Sequence, residues 1–413
     1  MKNSISKIIT ASLMVSGVSI GIGILGLPVD TGLAGFFPSL IIMLISWLFM
    51  LATGWIIARQ ISETQNDKED LGGLFKRTLG KSGTILSNIG YLFLLYCILI
   101  AHIVGGSQIL NSLGFLSLPI WVFVLLFFIV VSALTLLASN QIEKASSILL
   151  VLIIIVFMVM IVTLFTHIEP TRLEYTDWHY TISIIPIILV ALTYQIIIPT
   201  LSRVLQNDFR SVMIAIFIGT FIPVVINLLW LISTIGALPL TGDNSILSAY
   251  NNNQPAVIPL SLSYPETIIK PLSIAFSLIV LMLSYVLQST SLISYLNDFL
   301  SYRYGNKSIF YSRLLTFLPV IVISLLFPDI FLSLLDITGG FSIILICGIL
   351  PALVGLKYFW DKGKIKKIAM FFLLIVFLFF MVIELLQEFN FLKISPNAEY
   401  YPPKLPIEKQ INQ

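Results

Sequence analysis

Ser16-Gly-Val-Ser-Ile-Gly-Ile-Gly-Ile-Leu-Gly-Leu-Pro-Val-Asp30 decides how this chain is to be read. The stretch lies inside the first long apolar segment. It nevertheless carries Gly17, Gly21, Gly23, Gly26 and Pro28, with Gly32 and Gly35 just beyond. Glycine weakens a helix interior and proline removes a backbone donor, so this helix is expected to break in its middle. At membrane depth, unpaired backbone is tolerated only where it is buried in protein or lines a cavity. A broken first helix therefore predicts a binding site near the bilayer midplane.

Composition supports the membrane setting. Of 413 residues, 58% are hydrophobic and 10% charged, with a mean hydropathy of +1.01. Soluble domains carry about 25% charged residues, so a soluble fold is excluded. Cys97 and Cys347 both lie in apolar runs, which argues against a disulfide framework or a cysteine metal site. His102, His167 and His179 do not form a metal-ligand pattern. Lys2 and Lys7 before an apolar run mimic a signal peptide, but the run is long and many follow, so it reads as an uncleaved first span.

Segments of about 17–25 apolar residues suffice to cross a bilayer. They fall near 8–35, 36–58, 84–110, 118–138, 146–166, 181–201, 211–235, 267–296, 309–327, 330–355 and 367–389, eleven in all. With the N-terminus inside, 18 of the 23 basic residues lie on the cytoplasmic side and 5 on the other. This bias sets the expected orientation, with the C-terminus external or periplasmic. Ser62–Lys81 reads as a cytoplasmic connector with a short amphipathic helix through Leu71, Leu74, Phe75 and Leu79. Gly236–Pro265 lacks Lys and Arg and reads as an external loop. Residues 391–413, with four prolines, read as an extended external tail.

The sixth span holds a second interruption, where Pro186 and Pro199 bracket Thr193-Tyr194-Gln195. Pro28 and Pro199 stand 171 residues apart, with five spans between them. Five is odd, so a repeat starting at the sixth span is inverted relative to the first. Paired interruptions in inverted halves point to a secondary transporter's site. The expected organisation is an all-α polytopic protein with a first five-helix repeat at 1–170 and an inverted second at 171–356. The eleventh helix (357–390) is then an appendage, followed by the tail at 391–413.

Gly21-x-Gly23-x-x-Gly26 matches the dinucleotide-binding fingerprint by letter, but it lacks the preceding strand and the downstream acidic residue. Close helix packing through Gly17-x-x-x-Gly21 is the plain alternative. If the helix unwinds, amides near Gly21, Ile22 and Gly23 become free to bind a carboxylate, aided by the positive end of the second half-helix. Freed carbonyls on the other half suit an ammonium group or a metal cation. A zwitterionic amino acid carries both groups.

Gly21-Ile-Gly-Ile-Leu-Gly-Leu-Pro28, followed by Ala34-Gly35-Phe36, resembles the first-helix signature of the amino acid/auxin permease superfamily. It looks closest to the bacterial hydroxy/aromatic amino acid permeases, the tyrosine and tryptophan permease branch. Leu74-Phe-Lys-Arg-Thr-Leu-Gly80, the Tyr91–Gln108 span, Pro199 with its following Ser and Arg, Phe317-Leu-Pro319 and Phe327-Pro328 extend the likeness over about residues 8–355. The resemblance implies a LeuT-type fold of five-plus-five inverted helices with one extra C-terminal helix. It also implies cation-coupled symport of aromatic or large neutral amino acids by alternating access. The chain is then not an enzyme, uses no cofactor, and sits in the bacterial inner (plasma) membrane as a monomer whose partners are substrate and lipid, not nucleic acid. A sodium-coupled carrier of small neutral amino acids, a polytopic membrane enzyme and a channel are the alternatives. An enzyme would need paired acid–base side chains that are not visible.

The expected substrate contacts are Gly21, Ile22, Gly23, Gly26, Thr193, Tyr194, Gln195, Tyr96, His102 and Gln288. Members of this family tend to place an aromatic and a His at the second break. This chain has Tyr194-Gln195-Ile196 there. Gln288-Ser-Thr-Ser291 resembles the sodium site of sodium-coupled relatives, which adds Gly17, Ile20, Thr290 and Ser291 as a sodium-ligating set. Oxygen ligands suit a hard cation, whereas the plain alternative is that these hydroxyls bond the preceding turn. The coupling ion is a proton or sodium. His102 is either a proton relay or substrate wall, or a packing residue. Tyr96 is ordinary packing or a gating aromatic. Asp30 reads as a helix-start residue, Asp336 as an interfacial or gate residue, and Glu384 with Glu388 as interfacial.

Overall fold

A computed structural model describes residues 5–64, 69–114, 118–136, 139–305, 308–389 and 391–396. The first apolar segment forms two helices, α1 (Ile5–Ser19) and α2 (Gly23–Ala34), bent by 62° at their junction. The chain continues through α3 (Phe36–Thr64), α4 (Leu71–Ser112), α5 (Ile120–Leu136) and α6 (Ser139–Phe165). A short α7 (Pro170–Leu173) and a 3-10 turn at His179–Ile182 lead to the second broken span, α8 (Ile185–Ala191) and α9 (Ile198–Val204). Next come α10 (Phe209–Ala237), α11 (Ile246–Asn251), α12 (Val257–Ser263), α13 (Ile269–Tyr304) and α14 (Ser308–Leu326). The tenth apolar segment is α15 (Phe331–Ile337), a π-helical stretch Thr338–Ile349 and α16 (Leu350–Phe359), and α17 (Lys364–Glu388) closes the described part. No strand occurs among the described residues.

Among the described residues, eight helical segments are long and apolar enough to cross a bilayer, and nine if the bent α1–α2 pair counts as one span. Two further apolar helices, Ile120–Leu136 and Leu152–Phe165, fall within the expected segments 118–138 and 146–166 but are shorter than the others. The Gly236–Pro265 segment is more ordered than its polar composition suggests. It holds α11 and α12, and α11 packs on α2 with Ile246 against Gly32. The amphipathic helix expected around Leu71–Leu79 is present as the start of α4. Asp70 caps it by accepting from the Gly73 amide at 2.7 Å, and Leu74 and Phe75 are fully buried. Gly80, at φ 72°, then turns the chain into the membrane helix, a backbone state costly for other residues. The expected tail is non-helical over 391–396, and the rest lies outside the described residues.

The face carrying α7, α11 and α12 is termed the outer face, and the face carrying the Thr64–Leu71 connector the inner one. The helix α17, which the sequence reads as an appendage, is keyed into the tenth segment. Side chains Glu384, Phe377 and Met370, seven residues apart, lie over Gly340, Gly348 and Gly355. Without a hydrophobic difference between lipid and side chain, such small residues let helices approach closely enough for dispersion to hold them. Elsewhere α17 is largely exposed, as a lipid-facing helix would be.

Candidate functional site

The first break falls at Ile20–Ile22, upstream of Pro28. Ile20 still donates its amide to Ser16 O at 3.1 Å, whereas Ile24 and Leu25 close short turns on Gly21 O and Ile22 O. The amides of Gly21, Ile22 and Gly23 have no partner among the described residues, and no side chain caps α2. By the same count the carbonyls of Gly17, Val18, Ser19 and Ile20 lose the amides that a continuous helix would offer them. Three free donors at the start of a helix and four free acceptors at the end of another thus lie within seven residues of chain. Beside Gly21 the space is open, since a Cβ built there meets nothing within 4 Å.

Pro28 lies inside α2 instead of breaking it, and its effect is local. The missing N–H would have bonded Ile24 O in an α-helix. Trp230 of α10, fully buried, donates its Nε1–H to that carbonyl at 2.7 Å. The Ala256 amide reaches the next one, Leu25 O, at 2.9 Å. The outer half of the broken span is therefore held by donors from α10 and the α12 approach.

In the second break the prolines do not interrupt helices but start them. Pro186 and Pro199 each occupy the first turn of α8 and α9, where a missing donor costs nothing. Leu192, Thr193 and Tyr194 lie between the half-helices. Asn227 Nδ2 donates to Ala191 O at 3.4 Å, and the Gln195 side chain accepts from the Tyr194 amide at 3.1 Å. The two breaks meet directly: a Cβ on Gly23 would lie 3.0 Å from the Ala191 amide nitrogen and from Val190 Cγ1.

Two side chains at the second break reach across to α3. Tyr194 is fully buried and donates its hydroxyl to Met50 O at 3.0 Å, packed so that any Cβ on Gly54 would overlap it. Gln195, equally buried, donates to Met50 O at 3.3 Å and to Thr53 Oγ1 at 3.2 Å. Both therefore point into α3, because a buried hydroxyl and a buried amide need partners and α3 supplies them. Thr193 donates to Leu189 O at 2.6 Å. Gly26 is enclosed by Leu335, Ile187 and Leu332.

The remaining expected residues are dispersed. His102 is fully buried, its Nδ1 2.6 Å from Ile98 O and its ring edge-on to Tyr285, while Nε2 has no partner. Tyr96 donates to Leu315 O on α14 at 2.9 Å. Gln288 Oε1 is buried without a partner. Thr290 and Ser291 are exposed, and each donates to its preceding turn, to Val286 O at 2.7 Å and Leu287 O at 2.9 Å. Among the expected residues, the structure brings together Gly21–Gly23 with the free carbonyls of Gly17–Ile20, and places Thr193 at the facing break.

Two cavities lie towards the two faces. The inner one, about 240 Å³, is lined by Ile196, Pro199, Thr200 and Arg203 just past the second break, with Tyr91 and Tyr295 opposite, their rings 5.2 Å apart. The outer one, about 400 Å³, is lined by Asp30, Tyr180, Tyr250, Asp336, Glu384 and Glu388. Here the structure corrects the readings of Asp30 and Glu384 and leaves Asp336 facing the outer cavity. Asp30 sits in the interior of α2, not at a helix start, and is 2% exposed. Asp336 Oδ1 is buried, and Glu384 is 5% exposed where the sequence suggested an interfacial position. Trp230, Tyr180 and Tyr250 were not singled out by sequence. An intramembrane Trp with a donor to satisfy was the one available signal.

A family model described as the tryptophan/tyrosine permease family matches residues 4–387. The chain is 25% identical over 348 residues to a tryptophan-specific transport protein of Pseudomonas aeruginosa, covering 81% of this chain and 82% of that one. It is 25% identical over 340 residues to tyrosine-specific transport system 1 of Haemophilus influenzae, covering 81% and 84%. A low affinity tryptophan permease of Escherichia coli is 26% identical over 363 residues, covering 84% and 86%. Transport proteins, not enzymes, carry these likenesses, and with the apolar helices they make this a multi-pass membrane protein. The chain belongs to the tryptophan/tyrosine permease family.

Proposed function

We propose that the chain is a cation-coupled secondary transporter of aromatic amino acids. In this reading eleven spans form a five-plus-five inverted repeat of the LeuT type plus α17, with the inner face cytoplasmic. The observation that carries it is the first break, where free amides of Gly21, Ile22 and Gly23 start one half-helix and free carbonyls of Gly17–Ile20 end the other. The amides and the positive end of α2 suit an α-carboxylate, and the carbonyls suit an α-ammonium. The relatives' names favour tryptophan or tyrosine over small neutral substrates. Alternating access follows from the half-helices α1 and α9 moving against α2 and α8 around this midplane cradle.

The same carbonyls support a second reading of the coupling ion. Gly17 and Ile20 offer oxygen ligands for sodium, to be completed by Thr290 and Ser291 if their hydroxyls turn from the preceding turn. Uptake of labelled tryptophan and tyrosine into proteoliposomes, under an imposed proton or sodium gradient, tests both. Accumulation driven by one gradient is expected, and failure of both would end the coupling claim. Gly21→Leu has room to fold and is expected to abolish binding, because its side chain fills the cradle. Unchanged binding in that variant would remove the cradle from the mechanism.

A further inference from the structure

We propose that the outer carboxylate cavity is a proton-binding site, with Asp30 on the broken first span as its acceptor. Asp30 is 2% exposed, borders a cavity of about 400 Å³, and neither of its carboxylate oxygens has a hydrogen-bond partner. Asp336 on α15 faces the same cavity with Oδ1 buried and equally unpartnered. Glu384, on α17, joins them at 5% exposure, its chain lying over Gly340.

The titratable groups facing Asp30 are Tyr180 from the 3-10 turn, Tyr250 from α11, Asp336 from α15, and Glu384 and Glu388 from α17. Among the described residues no Lys, Arg or His lines the cavity. The two phenols do not supply the missing charge. Burial, with the carboxylates adding to it, raises both above the ordinary tyrosine value, Tyr250 to about 12. An ionised carboxylate whose two oxygens are buried, beside no cation and accepting no hydrogen bond, is costly. A carboxylic acid is neutral and carries the O–H that these oxygens otherwise lack. A proton also fits the spacing better than a metal, because no three His, Cys, Asp or Glu side chains among the described residues are grouped to hold one.

The placement gives the proton something to do. Asp30, Asp336 and Glu384 stand on three separate elements, and Gln387 of α17 donates to Ser183 at the entrance of α8 at 2.7 Å. On the α11 side, Asn253 Oδ1 accepts from the Ser333 amide and hydroxyl at 3.0 and 2.9 Å, fixing α15 to the outer connector. A proton from external water adds to one carboxylate oxygen, removes the repulsion between these elements, and lets the outer mouth close. Release of that proton restores repulsion and favours opening. The coupling part of this inference rests on the transport reading; the proton site itself does not.

The test is pH-difference infrared spectroscopy of the purified full-length chain in lipid, followed by uptake in the same preparation. The expected result is a carboxylic C=O band at neutral pH that is diminished in Asp30→Asn and shifted or diminished in Asp336→Asn and Glu384→Gln. Should Asp30→Asn not fold, the other two variants and their double mutant read the same band. An absent band, or one unchanged in every variant, overturns the site. Displacement of a carboxylate band by calcium, with no protonated band present, assigns the cavity to a metal cation and overturns it too. If the band responds but no gradient drives tryptophan or tyrosine uptake, the proton site stands and the transport reading fails. Where uptake does occur, its pH profile is expected to shift in Glu384→Gln relative to the unmodified chain.

Discussion

The Trp230 contact to Ile24 O makes a quantitative prediction, because proline and tryptophan are two halves of one arrangement. Pro28 orphans the carbonyl and Trp230 satisfies it at 2.7 Å in a fully buried position. Trp230→Phe keeps an aromatic ring against Phe157 and Phe276, whose centroids lie 5.8 and 6.3 Å away, but removes the donor. An unsatisfied buried carbonyl costs about 1–3 kcal/mol, though hydrogen bonds within membranes average only about 0.6 kcal/mol. The smaller ring leaves a void worth roughly another 1 kcal/mol. A total of about 2–3 kcal/mol is expected on these principles. Pro28→Ala restores an N–H that can close on Ile24 O within α2. In that background the same tryptophan substitution is expected to cost only the packing share, roughly 1 kcal/mol. Unfolding equilibria of the four proteins in one lipid–detergent mixture give the coupling directly, expected at about 1–2 kcal/mol. Equal losses in both backgrounds would refute the account of Pro28 and Trp230 as a compensating pair.

Three further outcomes follow from close contacts. Gly54→Ala drives a Cβ into the Tyr194 hydroxyl and is expected to lower stability by about 1–3 kcal/mol, and Tyr194→Phe should recover part of it in the same unfolding assay. Gly348→Val forces Phe377 from its seat, with a similar loss of about 1–3 kcal/mol that Phe377→Ala relieves; an additive result would show that α17 is not seated there. On the inner face, Glu69 is 8% exposed and held by Arg77 at 2.8 Å and Thr64 at 2.9 Å. Arg77→Ala is therefore expected to cost about 1–3 kcal/mol, measurable as a lowered unfolding temperature that Glu69→Gln partly restores.

The apolar segments and the first break were legible in the sequence because length and glycine density act through the backbone alone. Gly21 and Gly23 mark the break without knowledge of any neighbour. Pro28 was harder, since proline reads as a breaker unless one knows that Trp230, 202 residues later, supplies a donor. The second break was located, but its proline signal meant helix starts, not interruption. The directions of Tyr194 and Gln195 were not legible. They depend on Met50 O and Thr53 presenting acceptors across an interhelical gap that no local pattern encodes. Asp30 and Glu384 were read one at a time as ordinary helix-end residues. Only the packing of α2, α15 and α17 around one cavity joins them.

The seat of Glu384 over Gly340 bears on the balance between the two access states of the proposed transport cycle. In the proposed inverted repeat, each half can adopt the shape of the other, and a perfectly symmetric pair would make the outward and inward forms equal in energy. In that reading helix α17 belongs to neither half, and it lays three interlocking side chains, one of them the Glu384 carboxylate, along one segment only. On that proposal the degeneracy is lifted: the resting form follows the arrangement that keeps Glu384 company, and shortening the chain before Lys364 is expected to reset the equilibrium without touching the proposed cradle.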